Sequence, residues 1–371
     1  MRQTLAACVV TLCCAISGLA SAEVEDSSKG NPAVALLQAV NHVRAISAKI
    51  DADDTGSASD LRRDVDTFTV LIDSKLLSPV GLGIAHYYRA EALDQQNFVN
   101  TKNGQPPDAG SARLALADFD YVIDKKFEQP PVGIFLSNAE YRAGQVAQNS
   151  LHDSAKAYAY WKSCAEREHA GCMNIMADAK LTGADGAQDI AQALEYHSMV
   201  YKTGIKYTCA GAFSALEIAE IVYFTGVKRS DDDPTLWLNR AYALLDELAE
   251  KHRQQYCNRS EFQVVEFLMD LGQGNRRQDI LNSASEHAED PFVRAVTQLM
   301  VGSIDDLAFQ TRVAPISSEY DRCHAHFYAM WHSAIVGSQK LAEEHWKSMR
   351  QIGPNFCGPE LVFAKKFGFS Q

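Results

Sequence analysis

AYAYW (157–161) and ALEYH (193–197) lie 36 positions apart, each opening on alanine with an aromatic side chain at its fourth position. Each introduces a helical stretch, and each is followed by a second helix with the same ending, Leu181-Thr182-Gly183 in one case and Phe224-Thr225-Gly226 in the other. Glycine suits that ending because it accepts the left-handed backbone that closes the last carbonyls of a helix. Outward from this pair, apolar residues recur at spacings of three and four nearly everywhere after Asn31, and period-two alternation is scarce. Glycine and proline collect between these stretches, as in TKNGQPPDAG (101–110) and EQPP (128–131). The pattern predicts an all-α chain of short amphipathic helices, and a fixed internal period favours stacked helical hairpins over a single bundle.

Further copies are visible. Met330, Gly337, Ala342, Trp346, Met349 and Pro354 stand at the small, glycine, alanine, aromatic, small and proline spacing of a 34-residue helical hairpin, with the two methionines departing from the small residues expected. Arg89-Ala90, Ala115, Phe119, Val122 and Pro130 echo it around a longer loop. These residues resemble tetratricopeptide repeats, and residues 151–227 resemble the Sel-one-like subclass, with its glycine loop and alanine-aromatic restart. The resemblance is strongest at 151–227 and 323–354, weak over 233–310 and only generic over 31–77. It implies an α-solenoid of stacked antiparallel hairpins, with residues 23–150 forming an N-terminal helical region and 151–371 the repeat region carrying the disulfides. Such a fold says little about function.

The compartment is read from the start of the chain. Arg2, the uncharged apolar run Leu5–Leu19 and the small-x-small Ala20-Ser21-Ala22 make residues 1–22 a signal peptide cleaved before Glu23. Leu5-Ala6-Ala7-Cys8 spells a lipidation box, but too little apolar chain precedes it. The expected location is periplasmic or secreted. Loss of Arg2 takes the net charge from −12 to −13, which disfavours nucleic acid and anionic membranes as partners. No second apolar segment is long enough to span a bilayer.

Cys8, Cys13 and Cys14 leave with that leader, and Cys164, Cys172, Cys209, Cys257, Cys323 and Cys357 remain. An even number in an exported chain reads as disulfides. In a hairpin of the kind the resemblance implies, Cys164 and Cys172 face each other across the turn, and cysteine-rich Sel-one-like proteins bond cysteines at this spacing. Repeats that touch only their neighbours exclude Cys209 with Cys323 or Cys357. Cys209–Cys257 and Cys323–Cys357 remain as the expected pairs, although the second is a full repeat apart, and the connectivity of these four cysteines is left open.

Motifs of chemistry are scarce. No G-x-S-x-G, H-E-x-x-H, P-loop or Rossmann glycine pattern occurs. Gly272-Gln273-Gly274 reads as a helix-ending turn. Cys323-His324-Ala325-His326 is dense in ligand types, but side chains two apart on a helix diverge. Glu166-x-x-His169 is a single copy where such metal sites need two. SDDDP (230–234) reads as an acidic helix start and lacks the other ligands of a calcium loop. No cofactor is implied.

A binding surface is the stronger candidate. The register of the resemblance puts Ile84, Tyr87, Glu91 and Asp94 on the concave face of one repeat and His324, Phe327 and Trp331 on that of another. Exposed aromatics beside polar groups suit a peptide or glycan groove. The expectation is therefore a non-enzymatic exported scaffold that binds a protein or peptide partner. The alternatives are an envelope hydrolase acting on cell-wall or β-lactam-like substrates, as the Sel-one-like resemblance suggests, and a scaffold for exopolysaccharide export.

Overall fold

The computed structural model describes residues 31–50, 58–126, 134–203, 209–227, 233–251, 257–316 and 318–369. The leader at 1–22, Pro130 and residues 230–232 of the acidic run lie outside the described residues. Seventeen α-helices and no strand occur among those described. The chain divides into two compact units, Met1–Cys172 and Met173–Gln371.

The first unit is built from α1 (Pro32–Ile50), α2 (Ala58–Asp73), α3 (Pro79–Lys102), α4 (Ala109–Asp124), α5 (Ile134–Gln145) and α6 (Ser154–Glu166), with a π-turn, Val146–Ser150, after α5. Each of these helices packs on the next, and α1 and α5 also touch α3. Contact with the next helix and the next but one is what stacked hairpins require. The helix starts follow local chemistry. The Ser78 hydroxyl accepts from the Gly81 amide ahead of Pro79, while Asp108 and Asp153 cap α4 and α6 in the same manner. Alanines set the close approach of the helices, with Ala85, Ala90, Ala92, Ala112, Ala115, Ala139 and Ala143 fully buried around Phe68 and Phe119. The long loop after α3 is held by buried Asn97, whose amide oxygen accepts from the Asp108 backbone N–H at 2.9 Å and whose amide nitrogen donates to the Asp108 carbonyl at 3.3 Å. α7 (Ala170–Thr182) crosses the boundary between the units.

The second unit continues with α8 (Ile190–Lys202), α9 (Ala210–Thr225), α10 (Pro234–Lys251), α11 (Arg259–Gly272), α12 (Gln278–His287), α13 (Pro291–Met300), α14 (Asp306–Val313), α15 (Glu319–Ile335), α16 (Gln339–Ile352) and α17 (Pro354–Phe363), closing in a 3₁₀ turn, Ala364–Phe367. Gly226 ends α9 at φ +69° and Gly183 follows α7 at φ +80°, the two glycine stops expected from the repeat. α9 is apolar on nearly every side and lies at the centre, packed against α8, α10, α11 and α17. α15 is the second hub and touches α11, α13, α16 and α17. The α9–α17 and α11–α15 contacts join helices far apart in the chain, so this unit closes on itself more than a strict neighbour-only array would.

Three disulfides are present among the described residues. Cys164–Cys172 staples the end of α6 to the start of α7, with Cα atoms 5.8 Å apart. Cys209–Cys257 joins the entry of α9 to that of α11, with Cα atoms 5.6 Å apart. Cys323–Cys357 joins α15 to α17 at the same Cα separation of 5.6 Å. The one-repeat distance that made this last pair doubtful is absorbed because α17 starts directly after α16 and lies against α15. Three buried or half-buried bridges of this kind point to an oxidising compartment outside the cytoplasm. No helix among the described residues is long and apolar enough to cross a membrane.

Candidate functional site

Most of the side chains expected on the concave face are committed elsewhere. Trp331 and Phe327 have 0% and 1% of their surface exposed. Trp331 meets Phe224 edge-on at 4.5 Å, and Phe363 stacks on Phe224 at 4.7 Å. These aromatics are core rather than groove, because α15 is covered by α11, α13, α16 and α17 instead of presenting an open face. Ile84 and Tyr87 are buried too, Tyr87 edge-on against Phe119 at 5.8 Å. Glu91 and Asp94 are half-buried and face Arg142 of α5 at 4.0 and 3.6 Å. Burial raises the Asp94 carboxyl to about 6 despite that guanidinium. The expected exposure is thus corrected for Ile84, Tyr87, Phe327 and Trp331. His324 opens onto a cavity.

That cavity holds about 320 Å³ and lies within the second unit. Its wall is assembled from α9 (Phe213, Leu216, Glu217, Glu220), the entry and start of α11 (Asn258, Glu261), the entry and start of α13 (Asp290, Phe292) and α15 (Tyr320, Asp321, His324, Tyr328). A larger depression of about 510 Å³ follows α8 from Asp189 to Lys202. It is lined by that helix alone, and no converging set of groups forms there, so the smaller cavity is the better site.

Local sequence explains how charge reaches this place. In AGAFSALEIAEIVYFT the acids Glu217 and Glu220 sit among alanine, leucine and isoleucine, and burial of the whole helix carries them inward. His324 of α15 lines the same cavity. Its Nε2 lies 2.8 Å from Glu360 Oε1 of α17, and its Nδ1 lies 3.5 Å from Glu261 Oε1 of α11. The Tyr328 hydroxyl donates to Glu261 Oε1 at 3.2 Å. Tyr320 meets the imidazole edge-on at 4.1 Å and remains half-exposed at the rim.

The electrostatics follow from too many acids around one base. Burial disfavours the His324 cation, but the hydrogen bond to Glu360 and the charges of Glu360, Glu261 and Glu217 outweigh it, raising its pKa to about 10. Burial pushes the carboxyls up in turn: Glu220 to about 8, Glu261 to about 7 and Asp178 of α7 to about 7, with Glu217 well above its ordinary range. Nearby carboxylates add to the rise in all four, while His324 opposes it in each. Glu220 is 5% exposed and its Oε1 has no hydrogen-bond partner. An orphaned carboxylate oxygen at a cavity wall is costly in an unoccupied fold.

Cys164, His169 and Cys172 bring their ligand atoms within 4.8 Å of one another, but the two sulfurs are bonded to each other and are spent as metal ligands. Burial lowers the His169 pKa, and its Nε2 lies 3.2 Å from Asn138 Oδ1. In the CHAH run, His324 turns to the acids while His326 faces His345 at 3.3 Å, the divergence expected for positions two apart.

Sequence reading named His324 but missed its acidic partners. The available signal was an acid pair, Glu217 and Glu220, inside an otherwise apolar helix, where a charge is rarely tolerated without a partner. Scans of protein-family models find none that matches the chain, and a search of curated proteins finds no match.

Proposed function

We propose that this chain is an exported helical-repeat scaffold of tetratricopeptide and Sel-one-like build, delivered by the leader read at 1–22. It holds a protein or peptide partner at the acidic cavity of its second unit. The observation that carries this reading is the cavity itself. Four helices converge on it, its rim carries a half-exposed tyrosine, and the oxygen of Glu220 is left unsatisfied. Groups that are costly to bury and idle in the free protein are what a binding site supplies to its ligand. Helical hairpins and sulfur bridges support a rigid frame for that purpose. The partner-binding assignment moves accordingly from the Tyr87, Phe327 and Trp331 face to the His324 cavity.

Envelope extract passed over the immobilised mature chain tests the reading. Partner recovery that falls with Glu220→Gln and Tyr320→Ala, but not with Glu195→Gln on α8, supports it. Recovery indifferent to both cavity substitutions sinks it.

One observation favours a second reading. Carboxyls held near pH 7 to 8 in a cavity resemble the acid of a hydrolase. Turnover of cell-wall or β-lactam-like substrates, lost in Glu220→Gln and Glu261→Gln, would establish it. An exopolysaccharide-export role predicts recovery of glycan instead of protein in the same capture.

A further inference from the structure

The geometry points to one class of occupant for this cavity: an organic cation, the guanidinium or ammonium of a basic side chain, seated against Glu220 and the tyrosines of α15. The inference rests on the reading of the cavity as the holding site and names what it holds.

Charge balance gives the first argument. His324 is the one base among the residues that wall the cavity, and it is already engaged by Glu261 and Glu360. Glu217 and Glu220 share that one imidazolium with Glu261 and Glu360, and Glu220 Oε1 lacks even a hydrogen bond while being 5% exposed. A donor bound there would satisfy a buried acceptor that the fold leaves open.

Spacing gives the second. Among the described residues, the one group of three histidine, cysteine or carboxylate ligand atoms lying within 4.8 Å of one another is Cys164, His169 and Cys172. The cavity acids therefore do not converge on a point, as a bare cation of fixed coordination radius demands. A guanidinium presents five donors in a planar fork, and an ammonium three, so either reaches separated acceptors.

The walls give the third. Tyr328 stacks on the His324 imidazole at 5.8 Å and Tyr320 meets it edge-on at 4.1 Å while staying 48% exposed, so an aromatic ring at the rim is available to a second cation, which aromatic rings attract when it is desolvated. A volume of about 320 Å³ accommodates one side chain and falls at the small end of ligand sites, which begin at roughly 300 Å³.

Isothermal titration of the intact, disulfide-bonded protein at pH 8 tests the inference. The probes are Nα-acetyl-arginine methylamide, agmatine, neutral Nα-acetyl-citrulline methylamide and calcium chloride. The cationic probes should bind at least about tenfold more tightly than citrulline, and Glu220→Gln should cost about tenfold or more, as loss of a charged hydrogen bond does. Tyr320→Ala should weaken the same probes, and thermal melts confirm that both variants are folded. Tighter acetyl-arginine methylamide identifies a peptide as the source, and tighter agmatine identifies a free amine. Equal binding of citrulline, indifference to Glu220→Gln, or Glu220-dependent calcium binding tighter than either organic cation overturns the inference. Glu220-dependent capture without probe binding removes the cation and leaves the scaffold reading standing. Probe binding with no captured partner does the reverse.

Discussion

Replacing Glu220 by Gln should stabilise the ligand-free protein, and more at pH 8 than at pH 5. Glu220 is held at about 8 in the folded chain against an ordinary 4.5, first by burial and then by Glu360 and Glu261, with His324 acting against them. A carboxyl whose folded pKa is raised contributes stability that is fully present below 4.5 and is lost as pH climbs through 8. At pH 7 the two and a half units between 4.5 and 7 correspond to a cost of roughly 3 kcal/mol. At pH 5 the same reasoning leaves under about 1 kcal/mol. Gln keeps the shape and drops the charge, but its amide must find partners in a confined site, a penalty of about 1–3 kcal/mol. The net gain at pH 7 is therefore about 1 kcal/mol, rising toward pH 8 and vanishing or reversing at pH 5. Urea denaturation of both proteins at the three pH values reads the difference directly, and a gain of 1 kcal/mol moves a melt by roughly 2–4 °C in a unit of this size. A Gln variant less stable at all three values, or a difference independent of pH, would refute the claim that burial outweighs His324 in setting the charge of this carboxyl.

Other outcomes follow from the same structure. The bridges close loops of 48, 34 and 8 residues, so pairwise Cys→Ser replacement should cost about 4, about 4 and about 2.5 kcal/mol in the chain-entropy account. Denaturant midpoints that place the 8-residue bridge first would contradict that order. Trp331→Ala should cost about 3–5 kcal/mol because it empties a sealed aromatic cluster. Its effect on partner capture should vanish once the folded fraction is matched, which a true contact residue would not show. His326 and His345 are held neutral by burial, at about 4 and about 3, so their contribution is present above 6.5 and fades as pH falls toward 4. His345→Gln should flatten the loss of stability between pH 6.5 and 4.5 relative to the parent, measured as the difference in urea midpoint.

The hairpins were legible because helix period, caps and glycine stops are local properties. Gly183 and Gly226 do in the structure what their positions suggest. The site was not legible, because it is made by contacts that no repeat register contains. Glu360 reaches His324 only because α17 returns against α15, and Glu220 joins them only because α9 is enclosed on all sides. The same closure explains the failure of the aromatic expectation. Phe327 and Trp331 would line an open array, but the returning helix seals them into the core. Cys164 and Cys172 were readable for the opposite reason, since one tight turn brings them together.

The central claim is that a surplus of buried carboxyl groups in the second unit encloses a lasting imidazolium and leaves room for one more cation. Side-chain NMR of the eleven histidines, with His324 assigned by its loss in His324→Gln, tests this most directly. The account predicts that the His324 ring stays doubly protonated through pH 8 and shifts on addition of acetyl-arginine methylamide, while His326 and His345 remain neutral. A His324 ring that loses its proton below pH 7 and ignores the probe would contradict it.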